Sequence, residues 1–493
     1  MSALVVMPIF APFVAAVGGL LWRGNTVVRD TIVIVGLAVA MVCSFMVLLG
    51  VNDGGTHVVL VGGWQPELGI VLVADLLAAL ILPVALSIIF VVEIFAIGQR
   101  RAVWGANPEL AGPLLCVLTV GVSLALLTGD LFTLFVAFEL ILVSSYVLLT
   151  NQGRRSQIRA GMTYVAMNLF ASALFLFGVG FVYAATGTVN LALLSERIPE
   201  LTDGVRIGIG AWFFVVFGTK AAVFPLFSWL PDSYPTAPTT ITAVFAGLLT
   251  KIGIYAMIRF HTLTGMDDLG PIMLIIAGLT MVIGGLGALA QSDVKRILSF
   301  HIISQIGYML MGLGLFSVAG IAGAILFLIH NMPVKTVLFL VGGLIENDQG
   351  TSTLERSGGV ATRRPVLAAL FAIPALSLAG IPPFSGFVAK LAVIGAAIAE
   401  TSILVVVAAL LAGALTLLSM AKIWLGVFWG PPAEEITPVT VDRRNQKTML
   451  SATGLAVCGT LVISLLAGPL FDLSTRASEE LKNPTVYVHQ VLS

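Results

Sequence analysis

The chain has 493 residues, of which 58% are apolar and only 10% are charged, and its mean hydropathy is +1.05. Soluble domains are about 45–50% apolar and about 25% charged, so this composition excludes a soluble fold and predicts a polytopic membrane protein. Lys plus Arg and Asp plus Glu both number 25, so the formal net charge is zero and the chain offers no basic surplus for nucleic acid.

Fourteen segments are long and apolar enough to span a bilayer, which needs about 20 such residues. In chain order the predicted spans are Ala3–Trp22, Asp30–Gly50, Gly69–Gly98, Glu109–Thr128, Leu131–Thr150, Ala160–Thr186, Arg206–Leu230, Thr239–Phe260, Gly270–Gln291, Asp293–Phe316, Ala319–Ile345, Pro365–Ala399, Ser402–Gly430 and Met449–Phe471. The first span lacks a basic region and a cleavage site, so we interpret it as a retained helix and not a signal peptide. The polar tail after Phe471 has the length of one amphipathic helix.

The positions of the basic residues predict the orientation of these spans. With the N-terminus outside, 15 Lys and Arg residues fall in inside segments, and five fall outside: Arg197, Arg206, Arg259, Arg476 and Lys482. Inside loops carry the excess of Lys and Arg in membrane proteins. The count therefore favours fourteen spans, with both termini outside.

Five lysines fall inside predicted spans: Lys220, Lys251, Lys335, Lys390 and Lys422. A cation at the bilayer centre costs about 3 kcal/mol on insertion scales, so such residues are rare and are typical of ion paths. Lysine can lose its proton when it is desolvated, whereas arginine cannot, and a row of lysines therefore predicts a proton relay. The alternative is that a lysine reaches a headgroup or forms a structural pair, and it carries most weight for Lys422.

The spacing of these lysines predicts an internal repeat. The interval from Lys220 to Lys251 is one residue shorter than the interval from Lys390 to Lys422, which would make Lys390 the counterpart of Lys220. Each pair begins in a proline-interrupted segment, which predicts broken seventh and twelfth helices. Five spans separate these helices, and because five is odd the two copies must be inverted. The predicted domains are 1–108, with three spans; 109–260 and 270–430, with five spans each; and 431–493, with the last span and the tail.

The proline breaks also predict small hydrated cavities beside Lys220 and Lys390, since freed backbone groups in a membrane must face protein or water. The alternative is a kink that serves packing alone.

Glu139 has no polar side chain within a helical turn, so its partner must come from another helix. We predict Lys220 as that partner, because an ion pair whose strength depends on proton occupancy can act as a switch. A purely structural pair is the alternative. The offset that relates Lys220 to Lys390 takes Glu139 to Met309 and its neighbour Leu310, so the second half has no equivalent carboxylate.

Other polar residues in the spans are further candidates for the pathway. His330 and Lys335 flank Pro333 in one span, and His330 could relay protons between the halves or be a satisfied core histidine. His301 could line the same polar track. Asp75 and Glu93 lie toward the ends of the third span, so they belong either to the pathway or to the membrane interface.

We find no motif for catalysis, cofactor binding or metal binding. The three cysteines, Cys43, Cys116 and Cys458, lie in apolar runs without ligand spacing. There is no nucleophile elbow, phosphate-binding loop or dinucleotide fingerprint. We therefore predict a transporter component that is not an enzyme and holds no cofactor or metal.

Three motifs resemble a known family. The segments Gly129–Glu139, Ser292–Leu298 and His330–Phe339 are similar to the proton-translocating antiporter-like subunits of respiratory complex I, membrane hydrogenases and Mrp cation/proton antiporters. The resemblance covers nearly the whole chain. It implies an all-α fold of fourteen helices, with two inverted five-helix repeats at helices 4–8 and 9–13.

Within this family, Lys220–Tyr234 and Leu249–Tyr255 are most similar to the D subunits of bacterial Mrp Na⁺/H⁺ antiporters. Complex I relatives usually carry histidines where Phe227 and Tyr234 stand, and the most similar complex I subunit tends to have a glutamate where Lys390 stands. The resemblance implies that Glu139 and Lys220 form an ion-pair switch. It implies that Lys251, His330 and Lys335 form a central relay, and that Lys390 is a terminal gate.

The resemblance also implies partners and leaves two alternatives. The partners would be Mrp subunits A, B, C, E, F and G, together with lipid, protons and Na⁺ or another monovalent cation. One alternative is a proton-pumping subunit of complex I or of a membrane hydrogenase. The other is a scaffold that assembles its partners and transports nothing.

Overall fold

The computed structural model describes residues 2–67, 69–103, 107–151, 153–431 and 441–492. The side chains of residues 100–103 are not described, so the predicted inside cations Arg100 and Arg101 fall outside this description. Residues 432–440, in the predicted domain 431–493, also lie outside it.

The described part of the chain contains 21 α-helices and one two-stranded hairpin. The helices are α1 (Ser2–Leu21), α2 (Thr26–Gly54), α3 (Leu76–Val103), α4 (Ala111–Leu127), α5 (Leu131–Thr150), α6 (Arg155–Thr186), α7 (Leu191–Arg197), α8 (Asp203–Ala221), α9 (Trp229–Ser233), α10 (Thr239–Val244), α11 (Thr250–Leu263), α12 (Gly270–Ala290), α13 (Val294–Gly314), α14 (Val318–Gln349), α15 (Val360–Arg363), α16 (Pro365–Ala379), α17 (Ser385–Ala399), α18 (Ile403–Ile423), α19 (Arg443–Leu465), α20 (Ala467–Lys482) and α21 (Thr485–Leu492). The strands β1 (His57–Leu60) and β2 (Val71–Ala74) pair antiparallel, with His57 opposite Ala74.

Thirteen helical segments of the described chain are long and apolar enough to cross a membrane. One of them joins α10 to α11 through a π-helical turn, Phe245–Leu249, and another extends α18 through a second π-helical turn, Trp424–Phe428. The shorter helices α16 and α17 supply one more crossing as a single broken helix. The predicted all-α polytopic membrane fold, with about fourteen spans, is therefore confirmed.

The centre of the bundle is formed by α10–α11, α13 and α14. The most apolar stretches of Thr239–Leu263 and of α14 are completely buried. In the corresponding stretches of α1, α2 and α19, at most 33% of the residues are buried. Peripheral helices instead expose large apolar side chains, as lipid contact requires.

Two predicted boundaries are wrong. The third span begins at Leu76 and not at Gly69, because the valine-rich residues before it form β2, and valine favours a strand. The last span begins at Arg443 and ends at Leu465, and the apolar residues up to Phe471 belong to α20. Helix α20 buries Ala477 and Leu481 and exposes charged residues, so the predicted amphipathic tail helix is present.

Two helix breaks share one backbone geometry. Helix α8 ends before Ala222 and helix α16 ends before Gly380, and both residues have left-handed backbone conformations. In both breaks the amide of the next residue donates a hydrogen bond to a carbonyl oxygen of the preceding helix. Val223 donates to Gly218, and Ile381 donates to Leu376. The predicted broken helices are thus present, and Ala222 and Gly380 are matching positions.

This register corrects the predicted equivalence of the lysines. Lys220 precedes its break and Lys390 follows its own, so the residue in the place of Lys220 is Leu378. The predicted offset, from Lys220 to Lys390, is therefore wrong. A turn geometry is set by the backbone, whereas a charged side chain can reach the same region from either side of the break.

Two isolated bridges show a second constant offset. Asp130 caps α5 and bridges Asn190, and Asp293 caps α13 and bridges Thr353, and the interval between the two aspartates equals the interval between their partners. Five crossings separate Asp130 from Asp293, so the two bridges lie at opposite ends of the bundle. These bridges support the inverted repeat, which remains a prediction. At this offset Glu139 matches Ile302, which again is not a carboxylate.

Candidate ion-pathway residues

Lys220 lies in the last turn of α8 and is 5% exposed. Its Nζ donates hydrogen bonds to Ser172 Oγ at 2.9 Å and to the carbonyl oxygen of Asn168 at 3.2 Å, both on α6. It also lies 5.6 Å from the ring centroid of Phe138. The break places this cation at a helix C-terminus, where the helix dipole favours positive charge.

Glu139 follows Phe138 on α5 and lies close enough to Lys220 to act on it electrostatically. The two side chains do not form an ion-pair contact, so the predicted direct pair is not present in this conformation. Glu139 Oε1 is buried and has no hydrogen-bond partner. The nearest acceptors of Lys220 are instead the groups of α6, because they face the end of α8 directly.

A cavity of about 20 Å³ adjoins Lys220 and is lined also by Phe138, Asn168 and Leu249. A cavity needs about 10–15 Å³ of such volume to hold one water molecule. There is therefore room for one water molecule beside Lys220, and the predicted hydration of this cavity remains a prediction.

Lys251 lies in the first turn of α11, directly after the π-helical turn, and is 1% exposed. Its Nζ donates to the carbonyl oxygen of Ala246 at 2.5 Å. A π-helical turn disturbs the regular backbone ladder and is frequent at functional sites. Here the turn supplies the backbone acceptor for a buried cation.

Lys335 is completely buried on α14, and its Nζ has no hydrogen-bond partner. Lys251 and Lys390 lie within electrostatic range of it. A buried ammonium without a hydrogen-bond acceptor is energetically costly. A water molecule that accepts its hydrogen bond, or the loss of its proton, would therefore lower the free energy of this site.

His330 lies on the same helix as Lys335, and its Nδ1 shares a hydrogen bond of 2.9 Å with Ser385 Oγ, at the first residue of α17. Its Nε2 is buried without a partner. The histidine therefore joins α14 to the broken helix and keeps one nitrogen free to take or give a proton.

Lys390 lies on α17, and its Nζ donates to the carbonyl oxygens of Leu378 and Ala379, both at 3.0 Å. These carbonyls end α16, so the lysine spans the break. Its Nζ also lies 5.4 Å from the ring centroid of Tyr308. The structure thus brings Lys390 into one electrostatic group with Lys335 and His330.

His301 lies on α13 and is completely buried. Its Nε2 and Ser419 Oγ are 2.6 Å apart, and its Nδ1 has no partner. Lys335 and Lys390 act on it electrostatically, so it belongs with the central group. Its neighbours Ser299 and Ser304 bond to backbone carbonyls and do not extend a polar track.

Lys422 does not join this group. Its Nζ donates to the carbonyl oxygens of Leu289 and Gln291, at 2.9 and 2.7 Å, where α12 ends. These carbonyls lack partners within the helix, so Lys422 caps a helix terminus. This contact favours the structural alternative for Lys422.

Asp75 and Glu93 are both enclosed by protein. Asp75 forms a buried ion pair with Arg259, whose guanidinium also donates to Tyr255 Oη at 2.9 Å. Glu93 lies on α3 and is 1% exposed, so its side chain is enclosed by protein. Arg259, counted among the outside cations, lies near the end of α11 and is 4% exposed.

Two groups on α11 were missed by the sequence analysis, Arg259 and His261. His261 is buried, and its ring nitrogens lie 3.0 Å from the carbonyl oxygens of Met257 and Gly210. Lys251, Tyr255 and Arg259 are spaced four apart, which on a helix puts all three on one face. That spacing was the signal that could have marked Arg259 as buried.

Comparison with known proteins gives a family. A model described as NADH:quinone oxidoreductase/Mrp antiporter, TM, matches residues 128–416. The Na⁺/H⁺ antiporter subunits D of Alkalihalophilus pseudofirmus and Bacillus subtilis are 42% and 36% identical to this chain, and each alignment covers 100% of both proteins.

Solved structures agree. A chain of the Mrp complex from Dietzia sp. matches with a TM-score of 0.91 and 32% identity over 100% of both chains. A chain of the membrane-bound sulfane sulfur reductase, an archaeal respiratory membrane complex, matches with a TM-score of 0.91 and 25% identity over the same coverage. The resemblance seen in the three sequence motifs is confirmed, and the chain belongs to the NADH:quinone oxidoreductase/Mrp antiporter transmembrane family.

Proposed function

We propose that this chain is the proton-translocating subunit of a multi-subunit cation/proton antiporter of the Mrp type. The observation that carries the proposal is the central group of buried Lys251, Lys335, His330 and Lys390, in which Lys335 Nζ and His330 Nε2 have no hydrogen-bond partner. Such groups can exchange protons without first breaking a protein contact. The names of the most similar curated relatives support Na⁺ as the exchanged cation.

The proposed relay works by repulsion between neighbouring cations. A proton on Lys335 disfavours protons on Lys251 and Lys390, since like charges in a low-dielectric interior repel strongly. Protons then advance when one lysine loses its charge and the next gains it. Lys390 is the proposed terminal gate, because it alone in this group lies beyond a helix break.

The proposed switch lies in the first half. The negative charge of Glu139 favours the charged form of Lys220, and a proton on Glu139 removes that support. The two groups do not touch, and the cavity beside Lys220 has room for a water molecule that could hydrate the lysine. The switch thereby couples the proton occupancy of Glu139 to the position of the Lys220 charge.

The proposed setting is a bacterial cell membrane, with both termini outside. The proposed partners are Mrp subunits A, B, C, E, F and G, with lipid, H⁺ and Na⁺. The end-to-end match with curated subunits D supports this membership.

Antiport in vesicles that contain the whole complex tests the proposal. Glu139→Gln and Lys220→Ala should each abolish Na⁺-driven proton movement, while the complex still assembles. Glu196→Gln, at an exposed position of α7, is the matched control and should transport normally. Normal antiport in Glu139→Gln would overturn the proposed switch. Normal antiport after neutralising Lys251, Lys335 and Lys390 together would favour the scaffold alternative.

A second candidate function is proton pumping coupled to electron transfer. A chain of an archaeal respiratory complex matches with the same TM-score as the Mrp chain, and this match supports proton pumping as the second candidate. The subunits that co-purify with the chain distinguish the two functions. Iron–sulfur or quinone-binding subunits would favour electron transfer, and small hydrophobic subunits alone would favour antiport.

A further inference from the structure

A cavity of about 500 Å³ lies where α14 ends and where α16 and α19 begin. This is the end of the bundle that carries Asp293, and the positive-inside rule predicts that it faces the cytoplasm. Among the described residues that line the cavity, none belongs to the ion-pathway group.

The described lining of the cavity is strongly basic. Its charged residues within the described chain are Arg363, Arg364, Arg443 and Lys447, and one carboxylate, Asp348. Arg364 pairs with Asp348 at 2.9 Å. Arg363 donates to Gln349 Oε1 at the end of α14 and to the carbonyl oxygen of Gly358.

Two of these cations are available to a ligand. Within the described residues, Arg443 and Lys447 have no ion pair or hydrogen bond, and both are exposed. They are four positions apart on α19, so they extend from the same face of that helix. A second cavity, of about 680 Å³, adjoins the same two residues. Both cations can therefore approach one anionic group.

Uncharged groups at the cavity also favour an anion. The first turns of α16 and α19 border it, and helix N-termini bind phosphate through their free backbone amides. Asn347 lines the cavity, and its Nδ2 is buried without a hydrogen-bond partner. A buried amide donor of this kind lacks an acceptor that a ligand could supply.

Other lining residues of the cavity are apolar. Leu344, Leu367 and Met449 are buried, whereas Val366 is 57% exposed. A soluble anion would gain nothing from such a wall. A phospholipid would fill both parts, since its phosphate is anionic and its acyl chains are apolar.

We propose that this cavity binds one anionic phospholipid, with its phosphate beside Arg443 and Lys447 and its acyl chains along Leu367 and Val366. Basic pockets between helices at the cytoplasmic side recognise anionic headgroups, and the cytoplasmic leaflet supplies them. The bound lipid would join α14, which carries Lys335, to the start of the broken helix α16.

Lipid binding to the purified, delipidated complex tests this proposal. The probes are phosphatidylglycerol and phosphatidylcholine with the same acyl chains, counted by native mass spectrometry. Wild type should bind phosphatidylglycerol more tightly. The double variant Arg443→Gln/Lys447→Gln should bind it about 25-fold more weakly, at about fivefold for each cation removed.

Two further variants make the test decisive. Arg154→Gln/Arg155→Gln removes two exposed cations outside the cavity and should leave binding unchanged. Arg443→Lys/Lys447→Arg keeps both charges and should also keep binding, so its failure would overturn a charge-based site.

Four other results would overturn the proposal. They are unchanged binding in the glutamine double variant, equal binding of phosphatidylcholine and phosphatidylglycerol, displacement of the lipid by inorganic phosphate, and loss of a protein subunit from the glutamine double variant. The last two would assign the cavity to a soluble anion and to a partner subunit, respectively.

Discussion

Lys335 occupies, on α14, the position that Ser172 occupies on α6. Both helices have 32 residues, and the offset that relates Asp130 to Asp293 also relates their first residues, so the match holds along the whole helix. Ser172 accepts a hydrogen bond from Lys220, whereas the residue in the place of Lys220 in the second half is Leu378. Lys220 on the first broken helix therefore has an acceptor on α6, whereas Lys335 on α14 has none, and the second broken helix carries its own lysine, Lys390, beyond the break.

This asymmetry predicts a specific role for Ser172. Ser172→Ala removes the one side-chain acceptor of Lys220 and leaves the carbonyl of Asn168. A hydrogen bond to a charged group is worth about 1.5–3 kcal/mol, so the charged form of Lys220 should become less favourable by that order. We expect slower antiport and an altered pH profile in vesicles.

Ser144→Ala is the matched control for this prediction. Ser144 is a buried serine on α5 whose hydroxyl bonds to carbonyls of its own helix, so its loss should leave the pH profile unchanged. An unaltered profile in Ser172→Ala would show that Lys220 does not depend on this acceptor.

The buried pair of Asp75 and Arg259 predicts a large loss of stability on removal of one partner. Asp75→Asn leaves a buried guanidinium without its counter-charge, which costs about 3–5 kcal/mol. The midpoint of thermal unfolding of the purified complex should fall clearly. The double variant Asp75→Asn/Arg259→Gln should recover part of that loss, because no uncompensated charge remains.

Asp267→Asn is the comparison for this pair, since Asp267 forms an exposed ion pair with Lys482 and such pairs are worth about 0–1 kcal/mol. Antiport in the double variant tests the role of the pair. If the pair is structural, each assembled complex should transport normally, and a complete loss of transport would instead place Asp75 in the pathway.

The cap of α5 predicts a pH-dependent stability. Asp130 Oδ1 accepts a hydrogen bond from the amide of Thr133 at 2.6 Å. Burial raises the pKa of Asp130 above its ordinary value, and the hydrogen bonds from Thr133 oppose that rise. A raised pKa means that the folded state favours the protonated form, so the contribution of this group to stability is lost as the pH rises through the folded pKa.

Asp130→Asn should therefore unfold at a higher temperature than wild type at neutral pH, because it keeps the acceptor and has no charge to bury. The advantage should shrink as the pH falls below the raised pKa. Asp130→Ala loses the cap of α5 and should be less stable than wild type by about 0.5–2 kcal/mol. Equal unfolding temperatures of the Asn and Ala variants at neutral pH would contradict this account.

Much of the fold follows from local features of the sequence. Apolar length predicts the spans, and a proline cannot donate a backbone hydrogen bond, so Pro225 and Pro383 mark the broken helices without knowledge of any contact. The hairpin was missed because its valines also fit an apolar span. The wrong register came from treating Lys220 and Lys390 as equivalents.

The partners of the site residues could not be predicted in the same way. Ser172 and the carbonyl oxygens of Ala246 and Leu378 accept hydrogen bonds from lysines only because distant segments pack together or a helix turn is irregular. Backbone carbonyls leave no signal in side-chain identity. Lys422 resembled the other buried lysines for this reason, although its acceptors end a helix.

Lys390 and Lys422 therefore make the sharpest comparison between a proposed transport residue and a structural one. Both lysines donate two hydrogen bonds to carbonyls at a helix end. Of these two lysines, only Lys390 lies within electrostatic range of Lys335. Lys390→Met should therefore abolish antiport in assembled complexes. Lys422→Met should lower the thermal unfolding midpoint and leave transport per assembled complex intact, because α12 loses its cap and the central group loses nothing. Equal loss of transport in both variants, measured in vesicles with matched amounts of complex, would show that helix capping alone explains the requirement for Lys390.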